Sequence, residues 1–199
     1  MIFPELDLRK IADPKAFMRP HARKVREELA KTRPNAPRQA AAQFMRAMQP
    51  QPGQIVSLYF PVNAELDTWP LAEALWAEDI TVCLPVIERK SAPLIFRAYT
   101  PDMDLIEGRF GIMTPPEGAL VCEPDILVCP LLAYSPDGRR LGMGGGYYDR
   151  TLAACRAQRP VIAVGFAYAG QEAKFLPHGK HDQYLDWIVT ERAAYQASQ

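Results

Sequence analysis

The run Arg139-Arg140-Leu141-Gly142-Met143-Gly144-Gly145-Gly146-Tyr147-Tyr148-Asp149-Arg150 gathers the residue types with which a chain holds phosphate. Gly142, Gly144, Gly145 and Gly146 remove Cβ atoms where the backbone turns and comes close to a ligand. A helix is expected from about Tyr147 to Ala157. Its first N–H groups would point back into the loop, and its dipole adds roughly half a positive charge there. The result is an anion cradle suited to the phosphates of a nucleotide. Arg139, Arg140 and Arg150 flank it with forked donors that suit phosphate oxygens. Asp149, in the first helical turn, is a carboxylate where a magnesium ion bridging those oxygens can be held. The run is no Walker A loop, because no Lys-Ser/Thr follows, and no GxGxxG fingerprint, because Tyr147 fills the last glycine position. From the residues alone, a plain glycine hairpin with Asp149 as a helix cap remains an equal alternative.

The elements that must position this run are legible as alternating apolar and helical stretches. Pro14 to Met48 is polar and basic with helical composition, and Pro34 and Pro37 divide it into two helices. Arg19, Arg23 and Arg26 fall three to four residues apart and share one helix face, a pattern that by itself predicts a solvated surface. Ile55 to Phe60 is a strand candidate, followed by a helix carrying Leu71, Ala72, Leu75 and Trp76 that Asp67 or Thr68 can cap. Strands are also expected at Thr81 to Pro85, Leu94 to Ala98, Val161 to Phe166 and Trp187 to Val189. Ile126 to Leu132 is apolar throughout, as a strand buried on both faces would be. Strands alternating with helices predict a three-layer α/β/α fold with a mainly parallel sheet. In such folds ligands sit at the carboxyl ends of the strands.

Composition narrows the class. A chain of 199 residues suits one domain, with 1–15 as an N-terminal extension. Lys plus Arg number 23 and Asp plus Glu 23, so no global field draws nucleic acid or an anionic membrane. No stretch is long and apolar enough to span a bilayer, and Asp7, Arg9 and Lys10 interrupt the N-terminus where a signal sequence would be apolar. Cys83, Cys122, Cys129 and Cys155 lack metal-ligand spacing and read as small core residues, which favours the cytoplasm. His21, His178 and His181 show no ligand or triad spacing.

The stretch Leu-Leu-Ala-Tyr-Ser-Pro-Asp-Gly-Arg-Arg-Leu-Gly-Met-Gly-Gly-Gly-Tyr-Tyr-Asp-Arg-Thr-Leu, from Leu131 to Leu152, resembles the signature of the 5-formyltetrahydrofolate cyclo-ligase family. The resemblance covers almost the whole chain. Tyr59 to Thr68 (Tyr-Phe-Pro-Val-Asn-Ala-Glu-Leu-Asp-Thr) is similar to the family's folate-contacting block. Phe110-Gly-Ile, Gly165-Phe-Ala-Tyr-Ala-Gly-Gln and His181-Asp-Gln-Tyr-Leu-Asp-Trp-Ile-Val-Thr-Glu follow in the family's order.

The resemblance implies an ATP- and magnesium-dependent ring closure of 5-formyltetrahydrofolate, with or without a polyglutamate tail, to 5,10-methenyltetrahydrofolate, releasing ADP and phosphate. It implies ATP binding by Arg139 through Tyr148, with Arg140, Tyr148 and Arg150 at the chemistry. It implies metal binding by Asp149 and Asp182, and folate contacts from Phe60, Glu65 and Arg23. Arg19 stands where the family usually has lysine, and it joins Arg23 among the expected ligand contacts. A monomer or weak homo-oligomer with no nucleic-acid or membrane partner is expected. Other departures are Pro20 inside the first helix, Thr114 in place of a glutamate or glutamine, and Ser135 in place of an aspartate. They leave open a binding paralogue with weak or altered turnover.

Overall fold

The computed structural model describes residues 2–3 and 11–198, so Asp7, Arg9 and Lys10 of the expected extension lie outside the described residues. The first helix, α1 (Pro14–Thr32), starts where Asp13 accepts the Ala16 N–H at 2.9 Å and Pro14 takes the first helical position. Pro20 sits inside it. Asn35 and Pro37 open α2 (Ala36–Met48), which ends at Gln49 in the left-handed region. Then come β1 (Ile55–Ser57), α3 (Trp69–Ala77), β2 (Thr81–Val86), β3 (Ile95–Ala98), β4 (Ile106–Glu107), β5 (Met113–Thr114) and β6 (Val121–Cys122). The second half holds β7 (Ile126–Cys129), β8 (Ala133–Tyr134), β9 (Arg140–Leu141), α4 (Tyr147–Arg156), β10 (Ile162–Phe166), β11 (Trp187–Val189) and β12 (Ala194–Gln196).

One sheet organises the molecule, in the order β12-β11-β10-β7-β1-β2-β3-β6. Its centre, from β11 to β2, is parallel, and antiparallel β12 on one side and β3 and β6 on the other close the edges. Two small hairpins, β4 with β5 and β8 with β9, stand outside it. The expected α/β class and mainly parallel sheet are therefore present.

The apolar run Ile126 to Cys129 shows why the layers form. Ile126 and Val128 face the layer of α2 and α3, packing with Phe44, Leu71 and Leu75. Leu127 and Cys129 face the opposite way, into the layer that holds Leu152 of α4. With side chains alternating between faces, only a strand covered on both sides can bury all four. Cys83, Cys122 and Cys129 are buried free thiols. A third cluster, with Met18 and Ala22 of α1 against Leu132, Ala133 and Leu141, seats α1 on the β8–β9 hairpin. Among the described residues no helix is long and apolar enough to cross a membrane.

Candidate active site

A cleft of about 880 Å³ opens beyond β1 and β2, between α1, the turn after β1 and the glycine loop. Its position follows from the parallel strand order, which leaves the carboxyl ends of the strands free of crossover helices. Arg19, Phe60, Glu65, Arg140, Tyr147, Tyr148, Asp149 and Asp182 all line it, as do Gly142, Met143, Gly144, Gly145 and Gly146.

One wall is the loop between β9 and α4. The β8–β9 hairpin delivers Arg140 to the floor, where it is almost fully buried. Its Nη2 donates to Asp149 Oδ1 at 2.6 Å and its Nη1 to the Gln183 carbonyl at 2.5 Å, while the Gln183 N–H donates to the same Asp149 oxygen at 3.0 Å. Asp149 is thus tied to a cation and to the segment before β11 as well as to its own helix. The glycines divide by role. Gly146, at φ +66°, opens α4, and a Cβ there would stand 2.7 Å from Arg150 Nη1. A Cβ on Gly142 would meet nothing within 4 Å, so the space over that residue is open to a ligand. Arg150 braces the loop, with Nη2 donating to the Gly145 carbonyl at 2.8 Å and the guanidinium 5.1 Å from the Tyr147 ring centroid.

The facing wall is α1. Lys15 and Arg19, four residues apart and on one face, both line the cleft. Arg19 Nε donates to the Gly142 carbonyl at 3.0 Å, and Lys15 forms an ion pair with Asp182. Burial pushes Asp182 up, but the Gly179 N–H, the Lys15 ammonium and His178 outweigh it and hold the carboxyl below its usual range.

The third wall is the turn after β1. Tyr59 donates its hydroxyl to the Leu66 carbonyl at 2.7 Å, and Thr68 donates to the Tyr59 carbonyl at 2.7 Å, closing the segment between them. Asn63 and Ala64 both take left-handed backbone angles. That tight turn brings Glu65 round so that its Oε2 accepts the Val62 N–H at 3.0 Å. Phe60 lies beside it as an apolar surface. Burial raises the Glu65 carboxyl, while the Val62 N–H and the guanidinium of Arg26 draw it back. Burial also holds the Tyr148 phenol far above its ordinary value, and its hydroxyl has no hydrogen-bond partner.

Four residues expected from the sequence do not line the cleft: Arg23, Arg139, Leu141 and Arg150. Arg139 points elsewhere, paired with Asp137 at 2.9 Å, donating to the Leu176 carbonyl at 3.0 Å and lying 4.9 Å from the Phe175 ring centroid. Leu141 packs into the α1 cluster. The cations of α1 that reach the cleft are Lys15 and Arg19, one turn ahead of the Arg19 and Arg23 pair expected from the sequence. Arg26 is wholly buried rather than solvated. Its place beside Glu65 gives no signal in the sequence, because an arginine at helical spacing reads as surface. Lys15 does carry a signal, the i, i+4 spacing to Arg19.

Among the described residues no group of three or more His, Cys, Asp or Glu side chains is placed to hold a metal. Besides Glu65, the cleft presents two carboxylates, Asp149 and Asp182, each engaged by a cation. Such a donor set suits magnesium, which is commonly held by one or two carboxylates together with phosphate oxygens and water.

Comparison with known proteins gives the family. Residues 12–191 match the model of the 5-formyltetrahydrofolate cyclo-ligase family. The chain is 34% identical over 166 residues to the 5-formyltetrahydrofolate cyclo-ligase of Haemophilus influenzae, covering 80% of this chain and 88% of that protein. It is 35% identical over 163 residues to the Escherichia coli K12 protein of the same name, covering 79% and 89%. The solved structure of Aquifex aeolicus 5,10-methenyltetrahydrofolate synthetase superposes with a TM-score of 0.78 at 28% identity, over 93% of each chain. The Mycoplasma pneumoniae synthetase, at 24% identity and a TM-score of 0.69, covers 89% of this chain and 98% of its own and shares the fold. With the match running from α1 through β11, the chain is an enzyme that belongs to the 5-formyltetrahydrofolate cyclo-ligase family.

Proposed function

We propose that the cleft closes the imidazoline ring of 5-formyltetrahydrofolate at the expense of ATP, giving 5,10-methenyltetrahydrofolate, ADP and phosphate. The observation that carries this reading is a single cleft with a glycine-and-arginine cradle on one wall and a buried carboxylate beside an apolar ring on another. The cradle suits a triphosphate, and the carboxylate suits the row of N–H donors along one edge of a pterin.

A formyl group on nitrogen is a poor electrophile, and its oxygen is a poor leaving group. Transfer of the γ-phosphoryl group to that oxygen addresses both: a P–O bond forms to the formyl oxygen as the bond to the β-phosphate breaks. N10 of the same folate then attacks the formyl carbon and sheds its proton, and phosphate departs with the former formyl oxygen. Such chemistry asks for alignment and charge stabilisation rather than an acid–base pair. Lys15, Arg19 and Arg140 supply positive charge from two walls, and the N–H groups at the start of α4 supply the rest. Asp149 and Asp182 would hold magnesium, which when bound neutralises phosphate charge. Glu65 orients the pterin with Phe60 at its side. Tyr148 adds its ring to the cleft wall, with its unpartnered hydroxyl buried. Arg150, Arg139 and Leu141 serve by shaping the loop and hairpin, and Arg23 by adding charge to α1. The enzyme works in the cytoplasm as a monomer or weak homo-oligomer, accepting folates with or without polyglutamate tails.

The test is formation of the methenyl product, followed by absorbance, alongside assay of ADP and phosphate. One ADP and one phosphate should appear per product formed, and none without magnesium. Equal product yield without nucleotide would sink the proposal.

A further inference from the structure

Arg26 heads the largest fully buried side chains among the described residues, and its guanidinium joins three segments. Nη1 donates to Glu65 Oε1 at 3.3 Å and to the Leu131 carbonyl at 3.1 Å, and Nη2 donates to the Asn63 carbonyl at 2.8 Å. Its Nε has no partner. A buried ion pair with an orphaned donor is a poor device for stability alone. The desolvation of both charges commonly cancels their attraction, and apolar side chains of similar volume would serve as well. The arrangement calls for a reason in the chemistry of the cleft.

Glu65 supplies one. Its side chain is 5% exposed and that of Arg26 is 1% exposed, yet Glu65 lines the cleft. Burial favours the protonated carboxyl, which carries a donor and cannot accept two N–H groups side by side. Against this stand the Val62 N–H and Arg26. The other titratable groups that bear on the pair are the phenols of Tyr59 after β1, Tyr148 of α4 and Tyr168 after β10, each kept neutral by burial. Arg26 is the cation that acts on Glu65 among the described residues. The same guanidinium fixes the turn through Asn63 and reaches the Leu131 carbonyl, which Gln171 Nε2 also engages at 3.0 Å. Leu131 leads directly into the hairpin that carries Arg140.

We infer that Arg26 is a positioning residue for the folate half of the site, holding Glu65 ionised and aimed into the cleft while tying its turn to the root of the glycine hairpin. The inference rests on the reading of Glu65 as the pterin anchor. The sign follows from the charges. Arg26 favours the carboxylate, so removing it raises the pH at which Glu65 ionises. Folate affinity should then be weak below that pH and recover above it, by roughly tenfold for each pH unit that the midpoint moves.

The experiment uses the full chain with ¹³C-labelled glutamate, the Glu65 carboxyl signal being assigned by its loss in Glu65→Gln. Wild type should show Glu65 ionised at neutral pH and a folate affinity flat through the neutral range. In Arg26→Gln the signal should titrate at least about one pH unit higher. Below both midpoints calorimetric affinity for 5-formyltetrahydrofolate should be about tenfold weaker than in wild type and should match it again in alkali, while affinity for a non-hydrolysable ATP analogue stays within about twofold. An unchanged Glu65 titration, or a pH-independent loss shared by both ligands, would overturn the inference and make Arg26 structural. Should Arg26→Gln fail to fold, the wild-type titration decides: a Glu65 that still carries its proton at neutral pH overturns it. Glu65→Gln separates the two ideas. If it binds folate like wild type, the anchor reading fails and takes this inference with it. If it binds folate weakly while Arg26→Gln leaves the titration where it was, this inference alone fails.

Discussion

Tyr148 lines the cleft, and its hydroxyl is buried there without a hydrogen-bond partner, near enough to Glu65 and Arg140 to feel their charge. A buried hydroxyl left unpaired costs about 1–3 kcal/mol, which a ligand that bonds to it can restore. Tyr148→Phe should therefore unfold at the same temperature as wild type or higher, yet lose about tenfold or more in turnover. Full activity with unchanged stability would mean that the hydroxyl never meets a ligand. Asp149 is the opposite case, because its partner is a buried cation. Asp149→Asn should cost on the order of 10²-fold in turnover and raise the magnesium needed for half-maximal rate. It should also lower stability by about 1–3 kcal/mol, since Arg140 loses its counter-charge. Calorimetric unfolding beside a magnesium titration of the rate separates the two effects, and near-normal activity at limiting magnesium would remove Asp149 from the metal site. At this scale the sequence reveals residue types more readily than partners. Glu65 and Asp149 stand out through their motifs. The ion pair Arg26–Glu65 spans 39 residues of chain, and local spacing carries no trace of it.

Among the elements, the glycine loop offers the sharpest test, because its residues are glycine for different reasons. At Gly146 the left-handed backbone strains any side chain, and Arg150 would have to move aside for one, whatever is bound. At Gly142 a methyl group would meet open space. Gly142→Ala should therefore melt like wild type but weaken ATP by about tenfold or more, measured as KM or by titration. Unaltered ATP affinity would show that phosphate lies elsewhere along the loop. Helix α1 contributes a second test through Lys15 and Asp182. Because the folded carboxyl is held below its ordinary value, the pair is intact above about pH 4 and its contribution fades only as pH falls through the depressed value. Lys15→Met should therefore lower stability at neutral pH by up to about 1 kcal/mol and move the midpoint of acid unfolding upward. An acid midpoint identical to wild type would mean that the pair adds nothing to the folded state. The helices are readable in the sequence because prolines and caps mark their ends, as at Pro14, Pro34 and Pro37. The face that α1 turns to the cleft is not, because Met18 and Ala22 choose it by packing on β8 and β9. The two-residue strands of the hairpins, and β12, are too short for a hydrophobic period to register.

For the whole molecule, the alternation of buried strands and helices is enough to give the layers and the mainly parallel sheet, since a strand such as Ile126–Cys129 can be buried only between two of them. The cleft at the carboxyl ends follows from that topology. Its occupants should act as clamps between α1, the β1 turn and the glycine loop. Nucleotide with magnesium at about a hundred times its Kd should raise stability by about 2.7 kcal/mol, read as a rise in melting temperature, and folate should add to it. An unchanged melting temperature with either ligand would mean that they do not bind the folded enzyme there. The bonds that join these walls are far apart along the chain: 123 residues separate Arg19 from Gly142 and 167 separate Lys15 from Asp182. Contacts of such separation close late, after loop-closure entropy has been overcome, whereas α1 and α2 can form from local contacts alone. Catalytic competence is then expected late in folding, so that a chain emerging from the ribosome would hold much of its sheet before it has a working cleft. In refolding from denaturant, the return of turnover should lag the return of helical ellipticity, and the interval between them would time the docking of α1 against the segment that carries Asp182.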